Sequence, residues 1–107
     1  MAALDQLLVA LKEHKGSDLH LVAGAVPKMR ARGSIMAVPG WPVLTHDKLM
    51  AMLEELPPRH QWEQYKKESD LDFAYGLAGA GRFRANYFRQ EKGAAAVFRI
   101  IPEKIIP

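Results

Sequence analysis

The feature that most constrains this chain is a pair of alternating runs separated by a few residues. GRFRANYFRQ, residues 81 to 90, places Phe83, Ala85 and Tyr87 at one parity and Arg82, Arg84 and Asn86 at the other. AAAVFRI follows almost at once and carries Arg99. Alternation with period two is the mark of a strand with one buried face, so two such runs in succession predict a hairpin, strands 81 to 89 and 93 to 101. A tight turn around Gln90 to Lys92 sets Phe83 opposite Phe98 and Tyr87 opposite Ala94. It also sets Arg82 opposite Arg99, with Arg84 diagonal to both.

Like charges directly across a ladder are destabilising, and the charge is local. Residues 1 to 78 hold nine Lys/Arg against ten Asp/Glu, a net of −1, whereas residues 79 to 107 hold six against two, a net of +4. One reading is a solvated face whose guanidinium groups splay into water. The other is a site for an anion, for which phosphate is suited, because a guanidinium fork binds two oxygens and stays charged. A phosphate-processing enzyme needs more than arginines. There is no GxxxxGK[ST] run, no Gly-rich strand-to-helix turn and no acidic motif placed for Mg²⁺. A nucleic-acid partner is not expected, because the aromatics alternate onto the face opposite the arginines, where bases could not stack beside the cations.

Upstream, Leu4, Leu7, Leu8 and Leu11 follow the stripe of an amphipathic helix, with Gly16 as its C′ residue. SDLHLVA alternates as a half-buried strand, KMRARG returns as a second, and SIMAV reads as a short third before the PGWP loop. Thr45 caps a second helix whose apolar positions are Leu49, Met52, Leu53 and Leu56. Pro57-Pro58 ends it, and Pro58 suits the first turn of a third helix carrying Trp62 and Tyr65. Leu71, Phe73 and Tyr75 then alternate as a strand, and GLAGAG is a turn. The sum is one domain over residues 1–107. Its class is α+β, with a mainly antiparallel sheet of about five or six strands and about three helices. Phe73, Tyr75, Phe83, Tyr87, Phe98 and the first-helix leucines are its expected core.

Other residue types carry less. The N-terminus lacks a basic region and holds Asp5, so a secretory signal is not expected, and no apolar run approaches a bilayer span. The absence of cysteine removes disulfides and thiolate metal sites, which fits the cytosol. His20 beside Asp18 is too little for a zinc site and is assigned a structural or interface role. His14, His46 and His60 are expected in solvent. Met29, Met36, Met50 and Met52 are expected to fill core or interface gaps. Asp70 and Asp72 are expected on an exposed edge beside lysines, and Lys66 and Lys67 as solvated helix charges.

Three segments together, GSDLHLVAGAVPKMRARG, DLDFAYGLAGAGRFRANYFRQ and AAAVFRIIPEKI, resemble the N-terminal domain of the twitching-motility (type IV pilus retraction) ATPases, within the type II/IV secretion ATPase family. The likeness runs through essentially the whole chain in order. It implies a PAS-like domain that precedes a RecA-like motor domain absent from this chain, with the connecting linker starting in IPEKIIP. The family's Walker and His-box motifs are not found here. The resemblance therefore implies a non-catalytic module with no catalytic residue, metal or cofactor of its own. ATP and Mg would belong to the full-length protein. It further implies that Arg84 and Arg99, and secondarily Arg82 and Arg89, approach the nucleotide phosphates. The implied partners are the motor domains of its own and neighbouring subunits in a homo-hexamer. The implied setting is the cytoplasm, at the pilus machinery of the inner membrane. Pro27, Arg30 and Arg32 resemble the family's P-x-x-R-x-x-G strand, a packing or subunit-contact element. The alternative is a free-standing PAS-like sensor for a ligand or partner, against which the apolar inward positions predict a filled core.

Overall fold

Gln90 pairs with Gly93, so Glu91 and Lys92 alone make the turn of the final hairpin. Gln90 closes that turn itself: its Oε1 accepts from the Lys92 N–H at 3.1 Å. Gly93 follows with φ 129, and a Cβ there would run into the His46 ring. The turn centre therefore lies one residue later than the sequence reading placed it, and every cross-strand partner moves by two. Arg84 faces Arg99, Ala85 faces Phe98, Tyr87 faces Ala96, and Arg82 faces Ile101. A shift of two keeps each side chain on its expected face, so the division into apolar and arginine faces stands while the predicted pairs are corrected.

The structure, a computed structural model, describes residues 2–102. Its elements are α1 (Ala3–Glu13), β1 (Gly16–Val22), β2 (Lys28–Ala31), β3 (Ser34–Ala37), α2 (His46–Glu54), α3 (Arg59–Glu68), β4 (Leu71–Leu77), β5 (Gly81–Gln90) and β6 (Gly93–Ile101). The strands form one antiparallel sheet in the order β3-β2-β1-β6-β5-β4. Two three-stranded meanders are thus joined along β1 and β6, and α2 and α3 form the crossover between them. This is the expected PAS-like α+β class, with six strands and three helices. The expected linker in IPEKIIP lies mostly outside the described residues; Ile101 ends β6 and Pro102 follows it.

All three helices cover one face. α1 packs on β1, α2 on β6 and α3 on β4, and their apolar side chains join those of the strands in a single cluster. The leucine stripe of α1 is fully buried against Leu19, Leu21 and Phe98. Burying a leucine stabilises by about 1.5–3 kcal/mol, so these four anchor a helix whose N-cap, Ala2, makes no side-chain hydrogen bond. Tyr87 is the hub of the aromatic core, edge-on to Tyr65, Phe73 and Phe98 with centroids 5.6, 5.1 and 6.1 Å away. Its hydroxyl donates to the Leu53 carbonyl at 2.9 Å, which fastens α2 to the sheet. Tyr65 does the same for α3 through the Phe88 carbonyl at 2.8 Å. Phe73 and Tyr75, expected in the core, are only half-buried because β4 is the edge strand.

Several local expectations need correction. Gly16 is not the C′ residue of α1; Lys15 takes the left-handed conformation, φ 56, and Gly16 opens β1. The glycine is required for another reason, since a Cβ would collide with Leu11 of the helix and meet the Arg30 carbonyl. Pro58 is the N-cap of α3 and not a first-turn residue, whereas Thr45 caps α2 as expected, its hydroxyl accepting from the Lys48 N–H at 3.2 Å. Met29 and Met52 are buried, but Met36 is 40% exposed on β3.

The tyrosines give this core a pH signature. Burial, then the hydrogen bond to the Asp5 carboxylate and its charge, pushes the Tyr75 phenol up to about 12, and its hydroxyl donates to Asp5 Oδ1 at 2.7 Å. Burial likewise raises Tyr65 and Tyr87. A raised phenol pKa contributes stability that is fully present below the unfolded value of 10.0 and lost as pH rises through the folded one. Ultraviolet titration of the native chain should thus show Tyr75 and Tyr87 un-ionised at pH 10.0, with Tyr65 titrating above its ordinary value, and stability should fall between 10.0 and about 12. Tyr75→Phe should flatten that fall. A native Tyr75 phenolate appearing at pH 10.0 would contradict this packing.

Candidate functional site

The sheet face opposite the helices carries the predicted arginines. Arg99 on β6 is the Cα partner of Arg84 on β5 and of Asp18 on β1. Arg82 lies two residues along β5, diagonal to Arg99 and opposite Ile101. Arg30 of β2 extends the same row, opposite Asp18 on its other side. Arg89 does not join them. It has the parity of Tyr87, opposite Ala94, and is exposed on the helix-covered side, where its charge acts on the Tyr65 hydroxyl.

The like-charged pair is held by two carboxylates of the same chain. Arg99 Nη2 donates to Asp18 Oδ2 at 3.3 Å, and Arg84 Nη2 donates to Asp72 Oδ2 at 3.2 Å. Asp72 is expected to meet lysines; it sits beside Asn86 on the ladder, two residues from the Ala74–Arg84 pair, and the group it meets is the Arg84 guanidinium. Both guanidinium side chains are 68% exposed, but Asp18 is only 12% exposed and Asp72 55%. Over the row lies a shallow depression of about 360 Å³ lined by Asp72, Arg84, Asn86, Val97 and Arg99. Asn86 is fixed at its wall, Nδ2 donating to the Leu71 carbonyl at 3.3 Å. Two forks at one concave surface can bind an oxyanion.

The histidines are less alike than the sequence suggests. His20 lies on the arginine face between Lys28 and Val97, and its buried Nε2 has no partner among the described residues. His46, expected in solvent, is structural: its Nδ1 accepts from the Ala94 N–H at 3.0 Å and ties α2 to the start of β6. The absence of a side chain at Gly93 makes room for the ring, and a His so far in sequence from a glycine gave no signal. His14 Nδ1 donates to the Ala10 carbonyl at 2.9 Å at the end of α1. Among the described residues no group of three or more His, Asp or Glu is placed to hold a metal, and no helix is long and apolar enough to cross a membrane.

No family model matches the chain. Curated proteins and solved structures do. The chain is 34% identical over 103 residues to the type IV pilus retraction ATPase PilT of Pseudomonas aeruginosa, covering 96% of this chain and 30% of that protein. It is 31% identical to the type IV pilus ATPase PilU of the same organism, over 94% of this chain and 26% of that one. It is 29% identical to a twitching motility protein of Neisseria gonorrhoeae, over 79% of this chain and 22% of that one. A crystal structure of the pilus retraction motor PilT with bound ADP superposes with a TM-score of 0.84 at 30% identity, over 99% of this chain and 31% of that chain. The Legionella pneumophila ATPase DotB shares the fold, with a TM-score of 0.77 at 19% identity, over 92% of this chain and 29% of that one. The chain thus spans less than a third of the length of the relatives it matches.

The two ion pairs should differ in weight. Asp18→Asn removes a nearly buried carboxylate and leaves Arg99 facing Arg84, at a cost of about 1–3 kcal/mol. Asp72→Asn breaks an exposed pair and should cost below about 1 kcal/mol. Urea midpoints at unchanged slope measure both. Equal costs would contradict the difference in burial.

Proposed function

We propose, on the premise that this chain has the sequence and fold of the N-terminal domain of a PilT-type ATPase of the type II/IV secretion family, that it is the non-catalytic N-terminal module of a hexameric type IV pilus retraction motor. It works in the cytoplasm, at the pilus machinery of the inner membrane. ATP and Mg are held by the motor domain. This module helps subunits assemble and turns Arg84 and Arg99, with Arg82 beside them, toward the nucleotide phosphates.

The observation that carries this reading is the position of the arginine pair. Arg84 and Arg99 are direct cross-strand neighbours on the one sheet face that the three helices leave open. That face is available to a second domain, and its guanidinium groups point the charge needed by a phosphate chain. Positive groups fixed beforehand around a transferring phosphoryl group stabilise its shifting charge without reorganising at the moment of reaction. β3 adds an exposed flank for contact, with Ile35 49% and Met36 40% accessible. The sensor alternative calls for an enclosed polar pocket, but the inward positions are closed by Phe83, Tyr87 and Phe98 at full burial.

In the full-length protein, Arg84→Ala or Arg99→Ala should lower ATP turnover much more than ATP binding. An arginine acting on transferred phosphate supplies on the order of 10³ in rate. A lysine there should rescue poorly, since it keeps the charge and loses the fork. Lys67→Ala, on the exposed side of α3, is the control. If the arginines instead only hold subunits together, the ring will dissociate at low concentration while intact rings keep their rate. ATPase rate and oligomer size measured on the same samples separate the two, and unchanged values of both for both variants would overturn the site assignment.

A further inference from the structure

The arginine pair is flanked by carboxylates in the order Asp18, Arg99, Arg84, Asp72 across strands β1, β6, β5 and β4. Each guanidinium bonds outward, away from its like-charged neighbour, and with Arg30 beyond Asp18 the charges from β2 to β4 read plus, minus, plus, plus, minus. The two carboxylates are not equivalent. Asp18 belongs to an inner strand and its side chain is 12% exposed, whereas Asp72 stands on the edge strand β4 at 55% exposed. The outer carboxylate is thus far more open to solvent, and to replacement by another anion, than the inner one. Asp72 also lines the same depression as both arginines, so its carboxylate occupies the place where an oxyanion would meet the Arg84 fork.

We infer that Asp72 is a competing anion built into the domain, which holds Arg84 until a phosphate chain displaces it, while Asp18 positions Arg99 permanently. This deepens the preceding reading and rests on it: the ligand is the phosphate chain of a nucleotide, and the new element is the carboxylate that regulates access to it. A phosphate chain offers more charge and more acceptor oxygens than one carboxylate, so it can take the fork. This competition for the fork lowers affinity in the domain alone and makes Arg84 respond to a multiply charged ligand.

The test uses inorganic pyrophosphate titrated at low salt into the 107-residue chain, followed by the NMR signals of the arginine side chains. Asp72→Asn should tighten pyrophosphate binding roughly three- to fivefold, the scale of one exposed ion pair. The gain should vanish when Arg84→Ala is added, so that the double variant binds no tighter than Arg84→Ala alone. A gain that persists in the double variant would mean a general charge effect and would overturn the competition. So would Asp72→Asn binding no tighter than wild type while Arg84→Ala weakens binding, an outcome that leaves the phosphate reading intact. Arg84→Ala and Arg99→Ala both binding as well as wild type would remove the phosphate reading itself. Failure of both wild type and Asp72→Asn to bind would count against both ideas. Unchanged backbone spectra establish that each variant is folded.

Discussion

The structure depends on the register of one hairpin. With only Glu91 and Lys92 in the turn, β5 and β6 run together for their full lengths, and every other element is placed from them. β6 recruits β1 and hence the N-terminal meander; β5 recruits β4. The same register puts Tyr87, Ala96 and Phe98 under the helices and leaves Arg84 beside Arg99 on the uncovered side. Two hydroxyl bonds from this hairpin region then fix the helices: Tyr87 to the Leu53 carbonyl on α2, and Tyr65 of α3 to the Phe88 carbonyl. Packing and charge placement are consequences of one pairing.

A single sheet with helices on one side has an inherent asymmetry. The covered face has to be apolar to stabilise the fold, and the open face is free to carry function. Here it carries two arginines in direct opposition, a local cost that the flanking carboxylates offset. Asp18 does this from a nearly buried position and Asp72 from an exposed one. The arrangement gives each guanidinium group a carboxylate partner and leaves it exposed, which is what contact with an oxyanion requires. The sequence and fold similarity to the N-terminal part of pilus retraction ATPases is the ground on which a partner for such a surface is proposed.

Much of this was legible in the sequence because period two is robust. The faces of β5 and β6 survived a two-residue error in partner assignment, since a shift of two moves no side chain across the sheet. The α1 leucines, the Thr45 cap and the buried Trp62 and Tyr65 followed from helical spacing in the same way. What failed depended on contacts between distant segments. Nothing in the local sequence says that His46 will accept from Ala94, that Tyr75 will bond Asp5, or that Asp72 will hold Arg84. Local sequence makes Gly16 a helix stop, and its actual constraint is the close approach of Leu11 and the Arg30 carbonyl. The arginine cluster was visible as composition. Which arginines form it, and that Arg89 stands on the other side, required the register.

The most direct test of this account is the set of backbone proton contacts between β5 and β6, measured by nuclear Overhauser spectroscopy on the 107-residue chain. The register places Ala85 against Phe98 and Phe83 against Ile100, which brings Arg84 opposite Arg99. Contacts between those pairs are the predicted result. Contacts linking Phe83 with Phe98 in their place would put Arg82 opposite Arg99, remove the Arg84–Arg99 pair and contradict the site built on it.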